Sequence, residues 1–102
     1  MIAQPVFFVN SPPTNPVKWL TGDYILDYND YTLRCSGNFN VTLLNAANVS
    51  GSAFNVKNAS TGIINVYPLS GQYVDVYASG SITVSSGINL AIQSDGLNYL
   101  TL

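Results

Sequence analysis

The chain has 102 residues, a net charge of −2, only 8% charged residues and no histidine. That length fits one domain. Its basic residues, Lys18, Arg34 and Lys57, are scattered along the chain, which argues against nucleic acid, because phosphate recognition needs Lys and Arg gathered on one face.

Hydrophobic residues make up 47% of the chain, too many for a disordered segment. With so few charges, the surface is wetted by Asn, Ser and Thr or covered in an assembly, and we expect the latter. The opening "MIAQPVFFVNSPP" has no basic start and only a short apolar run, so no secretory leader is expected. No stretch approaches the roughly 20 apolar residues that span a bilayer, so no membrane partner is expected. Cys35 is the sole cysteine, which leaves no intrachain disulfide and no cysteine metal framework. The N-x-S/T triplets at Asn40, Asn48 and Asn58 reflect composition.

Residues 1–20 read as an extended arm and residues 21–102 as the folded domain. Pro5, Pro12, Pro13 and Pro16 exclude a helix and a central strand from the arm. Phe7, Phe8 and Trp19 are more aromatic surface than a linker needs, and would serve as anchors on a neighbour; the alternative is an arm folded back on its own domain. "GDYILDYNDYT" then reads as strand and turn. From there the period is two. Phe39, Val41 and Leu43 share a face in "GNFNVTLL", as do Phe54 and Val56 in "AFNVKN", and Ile64 and Val66 in "IINVY". "QYVDVY" puts Val74 and Val76 on one side and Tyr73, Asp75 and Tyr77 on the other. Ile82 with Val84, Ile88 with Leu90 and Ile92, and Leu100 with Leu102 complete the series. "LLNAANVSG" can form one helical turn at most.

Gly51, Gly62, Gly71, Gly80, Gly87 and Gly96 separate the runs. Asp95-Gly96 is the strongest hairpin signal, because glycine accepts positive φ. With no exact repeat, the glycine spacing reads as strand and turn and not as a solenoid. The expected fold is all-β: a small antiparallel β-sandwich or barrel of about seven to nine strands. Its expected core is Phe39, Val41, Leu43, Phe54, Val56, Ile64, Val66, Ile82, Val84, Leu90 and Ile92.

Chemistry is constrained by absence. Without His or Glu, Cys35 and the many Ser and Thr have no base to activate them. Asp23, Asp27 and Asp30 are the only carboxylate cluster, and they read as turn residues. A calcium loop needs six or more ligands and usually a bidentate carboxylate, which Asp27, Asn29 and Asp30 do not supply. No enzymatic activity, catalytic residue, cofactor or metal is expected. Tyr24, Tyr28 and Tyr31, then Tyr67, Tyr73 and Tyr77, suit a subunit contact, or a platform stacking on sugar rings.

The run from Phe39 to Tyr99 resembles a β-rich module of tailed-phage virion proteins, of the tail-fibre and head-fibre or cement types. The shared features are the strands in "FNVTLLNA", "GSAFNVKNASTG" and "INVYPLSG", a late Val-Asp at Val74-Asp75, and the closing "LAIQSDGLNY" hairpin. The resemblance implies a trimer-forming, catalytically inert module, with Val-Asp near the trimer axis. It implies a homotrimeric capsid decoration (cement) protein that stabilises a phage head, located on the virion at the capsid surface or tail. Its partners would be itself and the major capsid protein or another virion protein. The alternative is a receptor-binding tip of a tail fibre reading a host surface glycan. Phe7, Phe8, Trp19, Tyr73, Asp75 and Tyr77 are the expected partner-binding residues. A chain ending on "NYLTL" would have that edge covered by a partner subunit or by its own first strand.

Overall fold

The computed structural model describes residues 15–75, 77, 78 and 80–102, which form eleven strands and one 3-10 turn. Strands β1 (Val17–Leu20), β3 (Thr32–Cys35) and β5 (Ala53–Asn58) lie side by side in one sheet, called sheet A. It continues through β10 (Asn89–Ser94), β11 (Tyr99–Thr101), β7 (Tyr73–Val74) and β8 (Tyr77–Ala78). Sheet B is β2 (Tyr24–Ile25), β4 (Phe39–Thr42), β6 (Ile64–Tyr67) and β9 (Ile82–Val84), in that order.

The protein is all-β and built of two sheets, but it is not the expected antiparallel sandwich. The first six strands alternate between the sheets, and like stacks on like in parallel: β1 on β3 on β5, and β2 on β4 on β6. The chain therefore winds as a flattened coil, one strand per sheet in each turn. Antiparallel pairing enters where the coil closes, with β9 on β6, β10 on β5, β11 on β10 and β8 on β7. Parallel neighbours need a long return path, and here the return path is the strand in the opposite sheet.

The corners of the coil explain its tightness. Residues 21–23, 36–38 and 59–63 carry the chain from sheet A to sheet B, and each holds a glycine, Gly22, Gly37 or Gly62. Gly37 has φ +125, and a Cβ on Gly62 would collide with the Gly37 carbonyl. Successive corners thus stack backbone on backbone.

Between the sheets lie Leu33, Val56, Phe54 and Ile92 from sheet A and Phe39, Val41, Ile64, Val66 and Val84 from sheet B, with Leu26, Leu43, Val74 and Tyr99. Of the expected core, Ile82 and Leu90 are only half-buried, packed against this cluster. The one helical turn allowed in "LLNAANVSG" is a 3-10 turn at Ala46–Asn48, where the Asn45 side chain accepts from the Ala47 N–H at 3.0 Å. Asp95-Gly96 turns β10 into β11, with Gly96 at φ +95 and the Asp95 carboxylate accepting from the Leu97 and Asn98 N–H groups.

The sequence reading differs from the structure in three further places. "QYVDVY" is not one strand. Asp75 sits at φ +53 and turns the chain, pairing Tyr73 with Ala78 and Val74 with Tyr77. In "NYLTL" the inward residue is Tyr99, whose hydroxyl donates to the Leu44 carbonyl at 2.9 Å, while Leu100 and Leu102 face out. That last strand is no edge: β7 covers it, neither the first strand nor a partner. Residues 17–20, placed in the arm by the sequence reading, form a strand of sheet A, which among the described residues is an edge strand; residues 1–14 lie outside the described residues.

Candidate functional site

Phe7 and Phe8 lie outside the described residues. The other expected contact residues separate into two regions. Trp19, 73% exposed, stands on β1, which ends sheet A among the described residues. Tyr73 and Asp75 stand on the β7–β8 hairpin, with Tyr73 half-exposed on β7 and Asp75 in its turn. Tyr77 is placed on β8.

The Asp75 carboxylate is engaged within the chain. It accepts from the Thr101 N–H at 2.9 Å and from the Thr101 hydroxyl at 2.5 Å, and those bonds lower its pKa. Its own N–H donates to the Tyr99 carbonyl at 2.9 Å. Asp75 therefore fastens the hairpin to β11, a role that its place in an apparent strand concealed.

The outer face of sheet A follows from the register. One row across it is Trp19, Arg34, Lys57 and Asn89; the next is Val17, Thr32, Asn55 and Ala91. Leu100 pairs with Gln93 on the same side, and Leu102 donates its N–H to the Ala91 carbonyl. The Arg34 guanidinium lies over the Trp19 ring, 4.3 Å from its centre. Lys57 donates to the Gly87 carbonyl at 2.6 Å, and Asn89 to the Asn55 side chain at 3.0 Å. Two cations scattered in the sequence thus become lateral neighbours. The sequence reading did not place Arg34 and Lys57 beside Trp19 on this face. The signal that could have found them is the shared register of "TLRC" and "NVKN", which sequence spacing alone does not reveal.

At the first turn of the coil, Lys18 stands on the same face of its strand as its neighbour Leu33, with its side chain half-exposed. Its ammonium donates to the Tyr24 hydroxyl at 2.9 Å and lies 3.5 Å from Asp30. Tyr24 donates in turn to Asp30 at 2.7 Å. The Tyr24 bond and the Asp30 charge raise the Lys18 pKa, and burial raises that of Tyr24. The acidic cluster is occupied by its own turn: Asp30 also accepts from the Asp27 N–H at 2.9 Å, and Asp23 accepts from the Asn40 N–H at 2.9 Å. Beside them a shallow cleft of about 320 Å³ is lined by Asp23, Tyr24, Ile25, Asn40 and Thr42.

Cys35 is fully buried, its thiol directed at the Leu33 carbonyl, and burial pushes its pKa up to about 11. Asn58, in one of the N-x-S/T triplets, is also fully buried, so its amide is inaccessible in the folded chain.

Comparison of the chain with protein-family models, with curated proteins and with solved structures returned no match.

Proposed function

We propose that the chain is a structural protein of a tailed-phage particle, a homotrimeric decoration (cement) protein that binds the head and stabilises it, with no catalytic activity. The observation that carries this reading is the outer face of sheet A. Val17, Trp19, Tyr73, Leu100 and Leu102 all stand exposed along one broad sheet. Exposed apolar side chains flanking the polar middle of the sheet (Arg34, Lys57, Asn55 and Asn89), on a chain with 8% charged residues, favour burial against protein. Cyclic self-association buries the same patch on every subunit. Two neighbouring cations are few beside the six to ten phosphate contacts of a typical nucleic-acid binder, so protein remains the favoured partner. The resemblance to virion modules supplies the particle.

A second reading, a fibre tip that reads a host glycan, is favoured by the Trp19 ring held over Arg34 beside Lys57 and two asparagines. Its platform would centre on Trp19; Tyr99 is buried and Tyr24 half-buried.

Light scattering of the purified chain, with imaging of particles that carry it, tests the proposal. A trimer on the head supports it. A stable monomer that binds defined saccharides and sits at a fibre end overturns it in favour of the second reading.

A further inference from the structure

The outer face of sheet B presents two unlike rows. Strands β4 and β6 are its inner strands, each hydrogen-bonded on both sides, so the middle of this face does not depend on either edge of the sheet. Phe39, Val41, Ile64 and Val66 point into the core. Alternation turns the residues that follow them outward. Register then sorts these residues. Asn40, Asn65 and Thr83 lie abreast in one row, and Ile25, Thr42 and Tyr67 in the other.

The first row is a set of hydrogen-bonding groups. The Thr83 hydroxyl donates to the Asn65 side-chain oxygen at 3.2 Å, which leaves the Asn65 NH2 as a donor with no partner among the described residues. The Asn40 side chain has none there either; it is the Asn40 backbone N–H that donates to Asp23, at 2.9 Å. That bond occupies one Asp23 oxygen and leaves the other as an acceptor. The second row is less polar, with Ile25 69% exposed and Tyr67 38%. At the β2 end the two rows border the cleft of about 320 Å³, close to the lower limit of roughly 300 Å³ for small-ligand pockets.

Charge narrows the ligand. The three basic residues of the chain all stand on strands of sheet A, and Lys18 among them is held by Tyr24 and Asp30. The outer face of sheet B therefore offers an anion no counter-charge and meets it with the Asp23 carboxylate. What fits is a neutral molecule with an apolar side and a rim of groups that both donate and accept. Strand spacing and alternation set Asn40, Thr42, Asn65 and Tyr67 at the corners of a rectangle of about 5 Å by 7 Å, the footprint of one sugar ring.

We propose that the outer face of sheet B binds a neutral pyranose. Asp23 and the Asn40 amide take two adjacent hydroxyls, the carboxylate accepting and the amide donating. Thr42 and Asn65 bond to the rest of the rim, and the C–H face of the ring lies on Tyr67 with Ile25 beside it. One copy binds weakly at so shallow a site, and repetition over a symmetric assembly multiplies the affinity. The site uses none of the exposed residues of sheet A, so it is independent of both functions proposed for that sheet.

Titration of the isotope-labelled full chain with the methyl glycosides of glucose, galactose, mannose and N-acetylglucosamine, followed by amide shifts, tests this. Saturable shifts are expected at Asn40, Thr42, Asn65 and Tyr67, and methyl glucuronide should bind less tightly than any neutral glycoside that binds. Asn40→Ala removes only an exposed side-chain amide and Thr42→Val only a hydroxyl. Each should weaken binding roughly tenfold and leave the melting temperature in place, whereas Trp19→Ala should leave binding unchanged. No shift at these residues with any of the four sugars overturns the proposal. So does tighter binding of the glucuronide, or shifts gathered at Trp19 and Arg34 instead. A change of oligomeric state in Asn40→Ala would give the face to a subunit contact and overturn it as well. The titration involves neither the particle nor sheet A, so this inference and the proposed function fail separately.

Discussion

Asn58 in sheet A donates its side-chain amide to the Val84 carbonyl in sheet B at 2.8 Å, joining the two layers where the coil closes. The same amide donates to the Gly62 carbonyl at 2.9 Å, and its oxygen accepts from the Ser60 N–H and hydroxyl. A fully buried side chain thus satisfies four partners at one corner. Removing it orphans buried carbonyls, each costing about 1–3 kcal/mol. Asn58→Ala should lower unfolding free energy by roughly 3 kcal/mol in urea titrations, whereas the same change at exposed Asn48 should stay within about 0.5 kcal/mol.

Gly62 tests the stacking of corners. Its missing Cβ is what lets the Gly37 carbonyl approach, and backbone on both sides leaves no flexible group to give way. Gly62→Ala should cost roughly 2 kcal/mol or more. Gly22 occupies the corresponding corner of the first turn with nothing within 4 Å of its virtual Cβ. Gly22→Ala should leave the melting temperature nearly unchanged. Equal losses at the two positions would mean that corner stacking does not hold the coil together.

That contrast also shows which parts of the fold were legible. Alternation correctly marked Phe39, Val41, Phe54, Val56, Ile64 and Val66 as inward, because side-chain period is the same in parallel and antiparallel sheets. Partner choice is not local. "FNVT" pairs with "INVY" across a whole strand of the other sheet, and neither segment encodes that. A trace of the coil was present: Leu20-Thr21-Gly22-Asp23-Tyr24 and Cys35-Ser36-Gly37-Asn38-Phe39 match in character. The variable links after β2 and β4 break the period and hide it. Leu100 and Leu102 misled because hydropathy ranks them above Tyr99, whose ring is buried only because its hydroxyl reaches Leu44. At the candidate site, Trp19 was legible as an aromatic on a Pro-rich segment. Its neighbours Arg34 and Lys57 required the register.

Stability should be flat through neutral pH, since there is no histidine, and should fall in alkali. Burial raises the Cys35 pKa from 9.0 to about 11 and the Tyr99 pKa from 10.0 to about 12. The unfolded chain therefore releases these protons first, and ionisation pulls the equilibrium toward it. The stabilisation is complete below pH 9, declines as pH rises past each unfolded value, and is lost by about pH 12. Each shift corresponds to roughly 2–3 kcal/mol. On the acid side, Asp75 and Asp95 have lowered pKa values through bonds from Thr101 and from Asn98 and Leu97. Their contribution is present above pH 4 and fades as pH falls through the lowered values, and full solvent exposure keeps it small. Urea titrations from pH 3 to pH 11 measure both limbs, and Cys35→Ala should shallow the alkaline one. A thiol reagent should label Cys35 only at the rate of unfolding.

The outer face of sheet A makes the assembly reading falsifiable at single residues. Leu100 and Leu102 contribute nothing to the core, yet they stand with Ala91 and Gln93 on a broad β surface. If that surface is the subunit contact, Leu100→Lys sets like charges together around the symmetry axis and buries an unpaired ammonium, at several kcal/mol per assembly. The trimer should then dissociate to monomers in light scattering at micromolar concentration, while the strand spectrum of each monomer is retained. Trp19→Ala, at the far edge of the same sheet, separates the two functional readings. In a decoration protein it should weaken attachment to the particle in proportion to buried ring area, by roughly 1.5–3 kcal/mol. In a glycan reader it should abolish saccharide binding and leave incorporation into the particle intact. A Leu100→Lys chain that remains trimeric would remove sheet A from the interface and leave its apolar residues to a different partner.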